Sequence, residues 1–413
     1  MTKKKEYTLM AMCWLLYVSA YLGRYSYNSN IVPISSFYQV SNTEVSMAMT
    51  FFFFAYGAGQ IINGLFCKFY NLKYVLSGAL IISALINGSV FIGVPFKYVK
   101  YLWLLNGVSQ SFLWSSLLLI LSRNLSGQSI KKSVVVMSTT ASIGKLLTYG
   151  LSALLAIFNG FRFSFLIASI IMIFSGILWI SIYGFMTEKE KTEEKQEIDE
   201  KESLSVVKTK SRVNPTVVYT LIVFGIFAVI VNLVMEGLGS WVPKILKDSY
   251  KLSDSLSIFL TLFLPILSVF GTAFIVALNK KIKEYTLLIS IVFFAVALLV
   301  ALVMILLGLP YWALILIVFG LISLLMNGAN NIVTSMIPLS LRDKANSGFV
   351  GGILNGCCYV GSTLSSVCMG VLSDKYGGWT AVFVLMLILC SAVFLIGLVC
   401  TIIRFSKERK TAK

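Results

Sequence analysis

Apolar runs of twenty or more residues recur along this chain with only short polar breaks between them. No other feature restricts its fold as much. A run of that length spans the hydrocarbon of a bilayer as an α-helix, and soluble cores do not call for such runs again and again. Twelve can be placed: residues 8–30, 45–66, 73–94, 99–122, 133–157 and 162–186, then 215–241, 254–278, 285–308, 311–337, 345–372 and 379–403. In lipid every backbone N–H and C=O must be satisfied internally, and a helix does this within a single run. The expected fold class is an all-α membrane protein, with twelve transmembrane helices in two pseudo-symmetric six-helix bundles. Composition agrees. The 413 residues are 58% hydrophobic and 12% charged, whereas soluble domains carry roughly a quarter charged residues.

The sixth and seventh runs are separated by residues 187–214, which contain EKEKTEEKQEIDEKE. Such a mixed-charge stretch neither inserts in lipid nor joins a core, so it reads as a solvated cytoplasmic linker. It divides an N-terminal half, 1–186, from a C-terminal half, 215–413. If both termini are cytoplasmic, the inside segments hold 25 of the 34 Lys and Arg residues and the outside loops hold 7; Arg24 and Lys145 lie within spans. That is the positive-inside pattern. The expectation is an integral protein of a bacterial inner membrane, monomeric, with both termini in the cytoplasm. The net charge of +17 then faces anionic headgroups. The lipid bilayer is thus the expected partner, and a nucleic acid is not needed. A trace of an internal repeat fits two halves. Arg24 precedes Pro33, and Glu236 precedes Pro243, each at the outer end of the first helix of its half.

The chain has no histidine, which removes imidazole ligands and neutral-pH histidine chemistry. Its seven cysteines fall almost wholly within apolar runs and lack metal-ligand spacing, so they read as free thiols. No nucleophile–base constellation, metal cluster or phosphate-cradling glycine loop is evident. An enzyme is not expected, and neither is a cofactor. Lys3, Lys4 and Lys5 lead into the first run, but Arg24 and a Tyr/Asn-rich stretch follow it instead of a small-residue cleavage site. The segment reads as a retained helix rather than a signal.

Three ionisable residues lie well inside spans: Arg24, Lys145 and Glu236. Each costs about 2.5–3.5 kcal/mol at a helix centre on insertion scales, so they should face a polar cavity or one another. On one reading, Arg24 offers a planar fork to phosphate or carboxylate and Lys145 adds a point charge. On the other, Arg24 snorkels to the interface and Lys145 pairs with Glu236 to hold the halves together. Tyr17, Tyr21, Arg24 and Asn28 share one helical face, as do Gln110 and Trp114 on span four. Span eleven carries Gly348, Gly352 and Gly356 at i+4 spacing, a ridge that permits close helix contact. Asn355 and Tyr359 flank it.

At these residues the sequence resembles the major facilitator superfamily, and within it the organophosphate/phosphate antiporter branch. The likeness runs through Tyr17, Tyr21 and Arg24; Ala55-Tyr56-Gly57, Gln60 and Asn63-Gly64; and Asn71-Leu72-Lys73. It continues at Asn106-Gly107, Gln110 and Trp114, at Gly237, Trp241 and Pro243, and at Leu354-Asn355, Tyr359 and Gly361-Ser362. Asp374 with Gly378-Trp379 completes it. The resemblance implies that Arg24 matches a substrate-phosphate arginine, with Tyr17, Tyr21 and Tyr359 lining its pocket. Three positions depart from the branch. Met235 stands where a second phosphate arginine is usual, the span-five histidine is missing, and Cys67 replaces an acidic residue after span two.

These features together lead to an expected function: a secondary active transporter of a small organic anion, a phosphorylated or carboxylated metabolite, working by alternating access. Substrate-binding candidates are Arg24, Lys145, Tyr17, Tyr21, Asn28, Gln110, Trp114, Asn355 and Tyr359, and Glu236 is the proton-coupling candidate. With Glu236 ionised the three buried charges sum to +1, and a bound dianion favours its protonated form because like charges repel. A co-transported proton or a counter-transported phosphate would complete the cycle. Two alternatives remain: a proton-coupled exporter of drugs or cations binding at Glu236, and a non-transporting sugar-phosphate sensor signalling through the linker.

Overall fold

The structure, a computed structural model, describes residues 2–125, 127–186, 215–341 and 347–411. The linker expected at 187–214 lies outside the described residues. All regular structure among the described residues is helical. The N-terminal bundle consists of α1 (Lys3–Ser29), α2 (Ile31–Tyr38), α3 (Asn42–Phe66), α4 (Leu72–Ile92), α5 (Phe96–Asn124), α6 (Gly127–Ile157) and α7 (Arg162–Met186). The C-terminal bundle consists of α8 (Pro215–Tyr250), α9 (Asp254–Thr261), α10 (Phe263–Asn279), α11 (Tyr285–Leu306), α12 (Trp312–Asn331), α13 (Ile337–Ser340), α14 (Ser347–Lys375) and α15 (Thr380–Thr411). The helices meet the runs read from hydropathy to within a few residues at most boundaries. The short α2, the break between α9 and α10 and the extension of α8 to Tyr250 are additions.

Eleven segments among the described residues are long and apolar enough to cross a membrane. The exception is α1. Its 27 residues would extend about 40 Å, but its second half carries arginine, serine, tyrosine and asparagine in place of aliphatic residues. The helix can afford these residues because it does not face lipid. It packs against α4, α5, α6, α7 and α8, and every residue from Leu22 to Ser29 is buried. Several polar groups of this stretch and of the following Asn30 are paired with neighbouring helices. Ser26 donates to Asn87 at 2.7 Å, Asn30 donates to Ser152 at 2.9 Å and to Ser164 at 2.8 Å, and Ser29 lies 2.8 Å from Ser152.

Prolines shape the C-terminal bundle. Hydropathy places the end of the seventh span at 241, but α8 continues through Pro243. A proline has no N–H to give the carbonyl four residues back, here Gly239. That oxygen instead accepts the Tyr149 hydroxyl of α6 at 2.7 Å, so the defect in one bundle is satisfied by the other. Pro265 stands just after the break at Leu262 that separates α9 from α10. A π-helical turn over Ile332–Met336 precedes Pro338, a common cause of such irregularity.

The bundles meet along α3 and α14, and around α1, α6, α8 and α9. Several ties among the described residues lie at the end of the molecule where α3 begins and α14 ends. Asp374 accepts from the backbone N–H groups of Asn42 at 3.1 Å and Thr43 at 2.6 Å, placing a carboxylate on the N-terminus of α3, where unpaired N–H groups and the helix dipole favour an anion. Asn28 donates to Ser240 at 2.8 Å, Ser255 donates to the Ala153 carbonyl at 2.8 Å, and Lys247 donates to Ser36 at 3.1 Å.

The glycine ridge expected on α14 does not make the closest contacts. A Cβ on Gly352 would meet open space, and one on Gly356 would touch only Ile61. Gly348 lies among side chains outside the description. The tight approaches come at Gly361, against the Val229 carbonyl of α8, and at Gly370, against the Asn42 carbonyl. A small-residue pattern allows close packing, but the neighbouring helix decides which face uses it. Gly361→Ala should therefore lower the unfolding midpoint of the purified protein, costing about 1–3 kcal/mol through overpacking. Gly352→Ala should leave the midpoint unchanged or higher.

Candidate functional site

A cavity of about 220 Å³ lies between the bundles, with walls from α1, α3 and α6 on one side and α8, α9, α10, α12 and α14 on the other. Arg24 and Lys145 are the cations at its edge. Arg24 is 4% exposed, so it does not snorkel to the interface. Its Nε donates to Gln110 Oε1 at 3.1 Å. Gln110 presents its oxygen because its amide nitrogen is committed elsewhere, to Ser83 at 2.9 Å and Asn106 at 3.2 Å. Ser83 in turn donates to Asn106 at 2.6 Å. A ladder of neutral side chains on α4 and α5 thus aims one acceptor at the guanidinium.

Aromatic rings surround the remainder of Arg24. Its guanidinium carbon lies 4.2 Å from the Tyr56 ring centroid, 4.8 Å from that of Tyr21 and 5.3 Å from that of Phe52. Ring quadrupoles stabilise a desolvated cation but leave its outward N–H bonds unpaired. Nη2 is buried with no hydrogen-bond acceptor, and no carboxylate pairs with Arg24 among the described residues. The guanidinium is a buried cation with neutral partners and an unsatisfied donor.

Lys145 Nζ lies 3.0 Å from Glu236 Oε1, and the Tyr25 hydroxyl donates to Glu236 Oε2 at 3.0 Å. Both carboxylate oxygens of α8 are therefore held by the N-terminal bundle. Lys145 also sits 4.7 Å from the Tyr25 ring centroid, and Tyr25 stacks on Tyr21 at 5.7 Å. Through these two rings the lysine and the arginine belong to one electrostatic unit. The Lys145 side chain keeps 23% of its surface accessible and that of Glu236 10%, so the pair borders the cavity rather than closing into the core.

The structure distributes the residues singled out from sequence between two layers. Tyr21, Arg24, Lys145, Glu236, Asn355 and Tyr359 line the cavity. The other four stand behind it. Tyr17 packs on Trp114 at 4.9 Å and shares a 3.1 Å hydrogen bond with Tyr56. Gln110 orients Arg24, and Asn28 bridges to Ser240. Asn355 donates across the bundles to Gln60 at 2.8 Å, and Gln60 donates to Tyr56 at 2.8 Å. Met235, which faces the same cavity, places a thioether where the resemblance marks a second arginine.

Several lining residues were not anticipated: Tyr25, Tyr149, Asn232, Asn327 and Asn330. Helical spacing carried part of the signal, since Tyr149 is four residues after Lys145 and Asn232 four before Glu236.

A two-bundle helical membrane protein with a polar cavity between its bundles has the architecture of a carrier. The chain belongs to the Major Facilitator Superfamily, whose family model matches residues 13–347. Its fold is similar to a bacterial homolog of the human lysosomal transporter Spinster in an inward-facing and occupied conformation. The TM-score is 0.74 at 13% identity, covering 96% of this chain and 97% of that one. It is also similar to a mutant of the nucleoside transporter NupG, with TM-score 0.71, 12% identity and coverage of 95% and 99%. A D-xylose–proton symporter gives TM-score 0.65, 14% identity and coverage of 95% and 97%. No curated protein matches the chain in sequence.

The Lys145–Glu236 pair yields a direct test. Lys145→Met leaves a buried carboxylate with only Tyr25, and should destabilise the protein more than the double variant Lys145→Met/Glu236→Gln. A double-mutant cycle on unfolding midpoints should return a coupling of about 0.5–3 kcal/mol.

Proposed function

We propose that the protein is a secondary active transporter of a small organic anion, phosphorylated or carboxylated, with Arg24 and Lys145 as its anion-binding cations. The observation that carries this reading is the state of Arg24. A guanidinium buried among neutral groups, with an orphaned donor beside a cavity, is stabilised by an incoming anion, and its fork suits phosphate or carboxylate oxygens. The branch likeness to organophosphate/phosphate exchangers supports the same class. Residues 1–186 and 215–413 act as the two rocking units, joined by the charged linker 187–214, with both termini in the cytoplasm of a bacterial cell.

Glu236 is the coupling group in this reading. An anion approaching Lys145 competes with the carboxylate, and protonation of Glu236 removes the repulsion between the two. Anion and proton are then linked reciprocally. The exporter alternative has less support, because both oxygens of Glu236 are already paired and a cationic substrate would have to displace a lysine.

Thermal-shift measurements on the purified protein with organic phosphates, carboxylates, inorganic phosphate and cationic drugs test the binding class. One anion class should raise the midpoint, and Arg24→Ala should abolish that response. Stabilisation of both proteins by cations alone would overturn the proposal. For coupling, Glu236→Gln reconstituted in proteoliposomes should lose pH-driven accumulation of the anion while still binding it. Undiminished pH-driven uptake would remove Glu236 from that role.

A further inference from the structure

Opposite the cations, the cavity wall contributed by the C-terminal bundle carries four carboxamides. Asn232 comes from α8, Asn327 and Asn330 from α12, and Asn355 from α14, and all four line the one cavity. Asn327 and Asn330 are three residues apart and share a helical face. A carboxamide in a membrane-embedded helix costs free energy unless its polar atoms are paired. Hydrogen bonding between helices is a common use for such residues. Part of each side chain serves that purpose here. Asn232 Nδ2 donates to Asn330 Oδ1 at 3.0 Å, Asn327 Nδ2 donates to the Ser268 carbonyl at 2.5 Å, and Asn355 Nδ2 donates to Gln60 at 2.8 Å.

These bonds fix which atom of each carboxamide is left over. Among the described residues, Asn232 Oδ1, Asn327 Oδ1, Asn355 Oδ1 and Asn330 Nδ2 have no protein partner. Helix-to-helix bonding alone would not require four amides with spare atoms around one cavity. The leftover set also selects a ligand: three carbonyl oxygens that can only accept stand beside N–H bonds that donate, both of Asn330 Nδ2 and one each of Asn327 and Asn355 Nδ2. Anionic oxygens accept only, so carbonyl oxygens repel them, and an apolar tail would leave the oxygens unpaired. Hydroxyl groups both donate and accept, and they fit.

We propose that Asn232, Asn327, Asn330 and Asn355 form a hydroxyl-binding subsite, so that the transported anion is one whose uncharged portion carries hydroxyl groups. The charged end sits against Arg24 and Lys145, and the hydroxylated portion lies against the asparagines. This rests on the anion reading of Arg24. Specificity then divides between the bundles: one recognises charge, the other recognises the body that carries it.

The test uses matched pairs of equal charge and similar length: glycerol 3-phosphate against propyl phosphate, and gluconate against hexanoate. Affinities for the full-length protein are compared with those for Asn327→Leu and Asn330→Leu, with inorganic phosphate as the charge-only probe. The wild-type protein should prefer the hydroxylated member of a pair about tenfold or more, since unpaired site amides penalise the analogue lacking hydroxyls. Either variant should lower that ratio severalfold while binding inorganic phosphate as before. Equal wild-type affinity within both pairs, with phosphate bound, would overturn the subsite and leave the anion site standing. A preference unchanged in both variants would remove it from these asparagines. If no anion binds the wild-type protein, the anion reading fails and this inference falls with it. The wild-type comparison needs no variant to fold.

Discussion

A guanidinium buried between membrane-embedded helices must be surrounded by groups that tolerate its charge, and much of the N-terminal bundle is arranged around that demand. The Gln110 oxygen reaches Arg24 only because Ser83 and Asn106 hold the amide nitrogen away. Those residues come from α4 and α5, so both helices must pack closely against α1. Gly107 brings α3 equally close to α5, since a Cβ there would strike the Phe52 carbonyl. Tyr56 and Phe52 on α3 then present their rings to the charge. One cation thus fixes the relative placement of four helices. It also accounts for a first helix too polar to qualify as a span by hydropathy alone.

The C-terminal bundle answers to a different constraint, namely backbone groups freed by proline. Where Pro243 interrupts α8, the Gly239 carbonyl is satisfied from the other bundle by Tyr149. One turn of helix earlier, Glu236 is satisfied from the same side by Lys145 and Tyr25. Consecutive turns of α8 therefore depend on the N-terminal bundle for polar partners in this arrangement. Separating the bundles here would expose a carboxylate, a carbonyl and a lysine at once, and each would need water or a ligand in exchange. The two contacts make and break together because α8 carries both acceptors and α6 carries both Lys145 and Tyr149.

The spans were legible in the sequence because lipid imposes one rule on every residue it touches, so hydropathy read the boundaries of α3 to α5, α7 and α11 closely, while α6 begins six residues before its apolar run. Arg24, Lys145 and Glu236 were legible for the same reason, as charges that lipid would reject. The pairing was harder to read. Nothing local to Pro243 says that its helix continues or that a tyrosine 94 positions earlier in the chain completes it. The glycines of α14 show the same limit: the repeated Gly348, Gly352 and Gly356 drew attention, while the contacts fell at Gly361 and Gly370. The asparagines of α8 and α12 do not stand out in the sequence, because a neutral amide is a weak signal singly and a strong one only when four face a common space.

On the anion reading, Glu236 is the point at which ligand and closure meet. Its carboxylate takes one hydrogen bond from Lys145 and one from Tyr25, both on the N-terminal bundle, while its backbone belongs to the C-terminal one. On the anion reading, a substrate that draws Lys145 toward itself weakens the bond holding the bundles together at this level. The lysine cannot serve both carboxylate and substrate at full strength, so free energy gained by the anion is taken from the closed arrangement. A proton on Glu236 acts in the same direction, by leaving the lysine without its charged partner. Tyr25, stacked on Tyr21 beside Arg24, extends that competition to the second cation. The two signals a coupled carrier must read, substrate and proton, would then act on one buried ion pair, and the bundles would respond because that pair spans them.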